Sequence, residues 1–409
     1  MQGRTVDRFR EWFWRPPRRH GESIRDRSVT NLELLYDLVY VAVIGQAAGA
    51  FADDLTARGF AEFAIVFALV WIAWINGSLY VELHGRQDGR TRAFTFVQIA
   101  ILALLAVFTS TAAGDGGRNF ALTYAVFLWV VAWLWYSVRR QDSEEYLAIT
   151  GAWLIVMTVS IVVVAASALL PPDARLAVWA ANAIVWFVVF KMLGYRSVMY
   201  QRGVRPTDSM VERFGLFAII VLGEVVIGVV AGLSETSQDA LTILTGFAAL
   251  VVGFGFWWMY FDVIGGRLPR AEGAAVADWT LGHFPITLAI ATAGAAMVGL
   301  VGHAHDPAAP AATAWLLSGA VAVGLGGLVV SASALQDARR LPAVYRPLMA
   351  AMAAGAAAAL IVGWLNPVPW LLALLLALIL SALWALAVGE FLRAGAWAEA
   401  DAEASGERA

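Results

Sequence analysis

The chain has 409 residues, of which 60% are hydrophobic and 14% charged. A soluble domain of this length carries roughly 25% charge, so a soluble globular architecture is excluded. The net charge of −3 is small, and no nucleic-acid partner is expected; the absence of cysteine removes disulfides, thiol catalysis and thiolate metal sites.

The first 31 residues carry eight arginines and are too long and too charged for a cleaved secretory signal. Within them Arg8, Phe9, Arg10, Glu11, Trp12, Phe13, Trp14 and Arg15 interleave aromatic with basic side chains ahead of Pro16 and Pro17. Such a segment suits either the anionic headgroup layer or a disordered leader that serves only to orient the chain. Twelve apolar stretches follow, at about 32–51, 60–80, 93–113, 120–138, 147–170, 176–194, 211–232, 242–261, 282–302, 312–335, 343–363 and 369–391. Each has about the 20 residues that a ~30 Å hydrocarbon core requires, which predicts an all-α polytopic membrane protein. With a cytoplasmic N-terminus, only Arg58, Arg118 and Arg175 among the 28 Lys and Arg fall outside, so both termini are expected in the cytoplasm. Many of the 18 Trp, among them Trp71, Trp257, Trp258, Trp364 and Trp370, read first as anchors at the membrane interface.

The two halves resemble each other at a spacing of about 179 residues. Thr30-x-x-Glu33 opens the first span and Ser209-x-x-Glu212 the seventh, both in the pattern of a capping box. Val43-Ile44-Gly45-Gln46 matches Val221-Leu222-Gly223-Glu224, and Tyr80-Val81-Glu82 matches Tyr260-Phe261-Asp262. The pattern predicts two six-helix units, 32–194 and 211–391, in parallel orientation because six is even, with a basic leader 1–31, a linker 195–210 and a tail 392–409. Arg196, Arg202 and Arg205 with Gly203 and Pro206 mark the linker.

Ionisable groups inside spans cost roughly 2.5–3.5 kcal/mol each, so each needs a partner, water or a function. Glu33 and Glu212 are accounted for as capping carboxylates. Asp37 lies one turn deeper than Glu33 on the same face and wants a cation, a proton or an arginine, for which Arg90 and Arg92 are candidates. Glu224 stands near the middle of the seventh span, beyond the reach of caps or snorkelling, and suits proton or cation exchange. Its counterpart is Gln46, and the small-residue pairs Gly45/Gly49 and Gly228/Gly232 would let the first helices of the two units meet there. Arg213 shares a face with Glu224 and would guard the cytoplasmic mouth of its path; His283, at the start of the ninth span, is a weaker member. Lys191 snorkels. His303 and His305 beside Asp306 lack a further ligand, and no metal site is expected.

The run Val29-Thr30-Asn31-Leu32-Glu33-Leu34-Leu35-Tyr36-Asp37-Leu38-Val39-Tyr40-Val41 resembles the opening signature of the bacterial low temperature requirement protein A family. Glu212-Arg213-Phe214-Gly215-Leu216-Phe217-Ala218-Ile219-Ile220-Val221-Leu222-Gly223-Glu224 resembles its second signature, and His283-Phe284-Pro285 a third. The stretch from Glu82 to Arg92 departs from the family's pattern. The resemblance spans about 25 to 390 and implies a multi-spanning plasma-membrane protein linked to growth in the cold.

Three function classes remain. A secondary transporter or channel-like carrier of a small solute or cation fits twelve spans, a repeat and a midplane carboxyl. A membrane enzyme acting on lipid would use Glu33, Asp37 and His283, but the polar groups are few, and no catalytic set is assigned. A non-catalytic organiser or sensor would use its acids only to hold helices together. No G-x-x-x-x-G-K-[ST] loop is present, so nucleotide-driven pumping and a bound cofactor are not expected.

Overall fold

The computed structural model describes residues 12–13, 15–20, 22, 29–196 and 207–395. The linker residues Arg202, Gly203, Arg205 and Pro206, the leader residues Arg8 to Glu11 and the tail from 396 lie outside the described residues. Twelve helices are long and apolar enough to cross a membrane, and no strand occurs among the described residues. In chain order they are α1 Asn31–Ala52, α2 Ala57–His84, α3 Gly89–Thr109, α4 Gly117–Arg139, α5 Glu144–Ser167, α6 Pro172–Arg196, α7 Asp208–Ser234, α8 Ala240–Val263, α9 Gly273–Gly302, α10 Ala311–Ser333, α11 Pro342–Leu365 and α12 Pro369–Arg393. The expected spans match them closely except for the ninth. There the helix begins at Gly273, well before residue 282, because Ala274 to Leu281 form helix although Asp278 keeps them out of an apolar count.

The described residues fall into two compact units. The first is drawn from Met1–Asp54, Arg58–Leu216 and Ala271–Ala274, the second from Leu55–Ala57, Phe217–Arg270 and Ala275–Ala409. The division falls within α7.

In the first unit α2 is the most enclosed helix, with 78% of its most apolar stretch buried. A helix that is hydrophobic all round belongs in a core, and Leu69 to Ile75 have at most 1% exposure. Trp71 is therefore a core residue and not an interface anchor: it packs at mid-helix against Phe187 at 5.9 Å and Phe190 at 6.4 Å. Trp364 does sit exposed near a helix end, at 72%. α3 packs on α1 and α4, α4 on α5, and α5 on α6. Thr30 caps α1 by accepting from the Glu33 amide at 3.3 Å, and Asp88 caps α3 by accepting from Thr91 at 2.8 Å.

The described part of the basic leader is held on the first unit itself. Arg18 is buried and donates from Nε to the Gly85 carbonyl at 2.7 Å, while His84 Nδ1 donates to the Arg18 carbonyl at 2.8 Å. His20 stacks on Tyr146 at 5.0 Å and bonds Asp142 at 2.9 Å. Burial pushes the Asp142 carboxyl up, but the hydrogen bonds from His20 and Thr150 outweigh it and hold it below its ordinary value. These contacts put residues 15–20 on the same side as the loops at 85–88 and 140–143, while Arg58 and Asp173, 2.7 Å apart, join the first turns of α2 and α6 on the opposite side.

In the second unit α9 is the most enclosed helix, with 72% of its most apolar stretch buried. α10 packs on α11, and α12 on both α8 and α11. Close crossings rest on glycine. A Cβ at Gly228 would meet the Gly294 carbonyl oxygen at 2.0 Å, and one at Gly232 would meet Val301 at 2.8 Å, so α7 and α9 touch backbone to backbone.

Candidate functional site

Two buried polar features stand out, one in each unit: a cluster around Asp37 and the single carboxyl of Glu224. The first is built around Asp37, which is 1% exposed on α1. Its Oδ1 accepts from Trp74 Nε1 of α2 at 2.9 Å and from Arg213 Nη2, in the first turns of α7, at 2.8 Å. Arg213 is 2% exposed, and its Nη1 also lies 3.8 Å from Glu33 Oε2. The guanidinium stands 5.9 Å from the centre of the Tyr36 ring, and the Tyr36 and Tyr40 hydroxyls are 3.0 Å apart. Gly77 is required here: a Cβ would fall 2.1 Å from the Tyr36 hydroxyl. The sequence asked for an arginine partner and offered Arg90 or Arg92. The structure supplies Arg213 instead, and Arg90 donates to Ser137 at 2.6 Å. Asp37 Oδ2 and Arg213 Nε, both fully buried, accept or donate no hydrogen bond among the described residues.

The start of α7 corrects a second expectation. Ser209 and Glu212 do not form its capping box, because the helix begins at Asp208 and Thr207 is the residue whose hydroxyl accepts from the Met210 amide, at 3.2 Å. Ser209 lies inside the helix and donates to Glu82 Oε2 at 2.7 Å, Thr207 donates to Glu82 Oε1, and Glu212 accepts from the Val29 amide at 3.3 Å. Glu82, buried at 6% exposure, is thus a functional-looking carboxyl that sequence reasoning passed over as part of a polar loop. Its only signal was its match to Asp262 in the repeat, and Asp262 accepts from Trp384 Nε1 at 2.7 Å.

The second feature is Glu224 of α7, which is 4% exposed and lies ten residues before the helix end at Ser234, about 15 Å at 1.5 Å per residue. Its backbone rests on Gly294 of α9, where a Cβ would meet the Glu224 carbonyl at 2.7 Å, and the next residue, Val225, fills the space over Gly253 of α8. Oε1 is fully buried without a hydrogen bond, and among the described residues no cation pairs with this carboxyl.

The other expected members do not join either feature. Gln46 is exposed on α1, and a Cβ at Gly49 would meet nothing within 4 Å, so Gly49 makes no close crossing of the kind that Gly228 makes. His283 is not at a helix start: Gly273 opens α9. It is 1% exposed, with Nδ1 donating to the Trp279 carbonyl at 2.7 Å and Nε2 accepting from the Tyr260 hydroxyl at 3.0 Å. Both ring nitrogens are thereby engaged. It stands about 16 Å along α9 from Gly294, and hence away from Glu224. In the loop after α9, His305 Nε2 bonds Asp239 Oδ2 at 2.6 Å and His303 bonds the Gly299 carbonyl at 2.7 Å, so the two imidazoles face different partners.

The buried Asp37 and Glu224 lie within the two runs that carry the resemblance noted from the sequence, and the whole helical region from α1 to α12 matches one family over residues 28–388. The chain belongs to the bacterial low temperature requirement A protein (LtrA) family. A relative within reach of comparison, the uncharacterized protein RA0937 of Rhizobium meliloti (strain 1021), is 24% identical over 272 residues, covering 62% of this chain. The match spans 65% of that relative's own length. No solved structure matches the chain. Membership and the twelve apolar helices make this LtrA protein an integral membrane protein of a bacterial family.

Proposed function

We propose that this LtrA protein is a secondary transporter or channel-like carrier of a small solute or cation, with Glu224 as the carboxyl that exchanges it. The observation that carries this is a buried carboxyl in mid-span with no partner among the described residues. A carboxyl so placed has to titrate against a proton or take up a cation, and an intramembrane acid without a structural partner marks an ion path. The proposed orientation keeps both termini in the cytoplasm, following the arginine asymmetry. Asp37 and Arg213 form a second polar element in the other unit, where a neutralising partner is already in place. That pair favours the alternative of a membrane organiser or sensor, in which acids hold helices together, for the Asp37 region taken alone.

The test uses the full chain in liposomes loaded with a pH-sensitive dye and challenged with sodium or potassium gradients. Wild type is expected to couple proton and cation movement, and Glu224→Gln, which keeps the shape and removes the charge, to abolish it while remaining folded. Undiminished flux in the Gln variant would leave Glu224 a structural residue. For the orientation, cysteine introduced at His305 should react with an impermeant reagent added outside, and cysteine at Gln141 should not.

A further inference from the structure

A groove of about 560 Å³ runs along the outer surface of the first unit between α4 and α5. Most of its lining is apolar and exposed: Trp129 is 59% exposed, Trp133 51%, Ile155 66%, Val159 53% and Val162 61%. One end carries positive charge. Arg139, the last residue of α4, lies in the groove beside Gly151 of α5, so that a Cβ at Gly151 would sit 3.8 Å from the guanidinium carbon.

The direction of that side chain is informative. Gly151 is seven residues past the start of α5 at Glu144, about 10 Å into the helix. An arginine at a helix end ordinarily extends its head outward to water. Arg139 instead turns inward along the neighbouring helix, and among the described residues no carboxylate pairs with it. Exposed Arg140 adds a second cation at the same end, with its guanidinium 4.9 Å from the Tyr136 ring centre and a hydrogen bond to the Tyr136 hydroxyl at 3.3 Å.

We propose that this groove is a binding site for an anionic phospholipid of the leaflet on the side of the loop at 140–143. The phosphate sits on Arg139, whose planar fork matches two phosphate oxygens, and Arg140 reinforces the field. One acyl chain lies along Ile155, Val159 and Val162, and Tyr136 and Trp133 stand at headgroup depth, where aromatic residues with a polar edge are favoured. A lipid answers both features at once. Its charge neutralises a cation that faces hydrocarbon, and its chain covers an apolar channel too long for an ion alone.

The proposal predicts retention of one phosphatidylglycerol per protein in native mass spectrometry of the full chain after delipidation, at least about fivefold over phosphatidylcholine, the ratio set by one juxtamembrane arginine. Arg139→Ala should erase that preference and Arg139→Lys should keep part of it. Arg58→Ala, at the opposite side, should leave it unchanged. Gly151→Leu, whose Cβ has room, should fill the groove and lower retention of both lipids; if that variant fails to fold, Ile155→Trp at an exposed position makes the same test. Equal retention of the two lipids by wild type, or an Arg139→Ala variant that keeps the preference, overturns the proposal. So does a dimer that carries no lipid, which would mean that a second copy covers the groove.

Discussion

Asp37 and Glu224 are both buried carboxyls in spanning helices, 1% and 4% exposed, yet their surroundings are opposite. Asp37 meets an arginine and an indole N–H through one oxygen, whereas Glu224 rests against Gly294, leaves Oε1 buried without a hydrogen bond and has no cation among the described residues. The difference teaches that burial alone does not mark a working acid in a membrane. A paired acid has its charge cancelled in place and holds structure; an acid without a cation beside it is left able to bind a proton or a cation.

The sharpest break of that comparison is at Arg213. Arg213→Ala should leave Asp37 as an uncompensated buried charge and cost about 3–5 kcal/mol, read as a loss of thermal stability in detergent. Replacing both members by leucine should cost less than the single change, and an additive result would show that the 2.8 Å contact carries no coupling.

Next comes Gly294, on which Glu224 rests. Gly294→Val places atoms where the Glu224 backbone already stands, and the helices must part at a cost of about 1–3 kcal/mol. Gly49→Ala, with open space around it, should stay within about 0.5 kcal/mol by the same assay. If the two glycine variants behaved alike, the close crossing of α7 and α9 would be wrong.

Trp74→Phe removes one of the two donors to Asp37 and keeps the ring packing against Phe214, so a loss of about 1–2 kcal/mol is expected. Glu224→Gln should change stability by less than any of these, since no partner is lost. A Gln variant destabilised as much as Arg213→Ala would show that Glu224 has a cation partner in the membrane and would end the contrast.

The smallest effect concerns an acid outside the membrane. Asp239 accepts from the amide of Thr242 and from His305, and these hold its carboxyl well below the usual carboxylate range. A carboxyl lowered on folding contributes stability that is present above its unfolded value, about 3.9, and is lost as pH falls through the folded value. Amide exchange at Leu241 and Thr242 should therefore stay slow down to pH 4 and quicken only below it, and Asp239→Ala should remove that pH dependence.

The number, order and approximate ends of the twelve helices were legible in the sequence, because a bilayer imposes a length of apolar chain that can be counted residue by residue. The all-helical class follows from the same solvent, which leaves backbone groups no partner but their own helix. The depth of Glu224 within its span was legible too, since depth along one helix is a local quantity. What the tertiary structure alone decided is which groups meet. Arg213 turned to Asp37 on a helix 176 positions earlier in the chain, Glu82 took the hydroxyls of Thr207 and Ser209, and Trp71 sat at the core of its unit. Apolar counting treats every face of a helix alike, whereas pairing depends on the rotation of each helix about its axis. That rotation is set by packing against neighbours, by glycines such as Gly77 and Gly228 that admit a close approach, and by nothing that can be read along a single span.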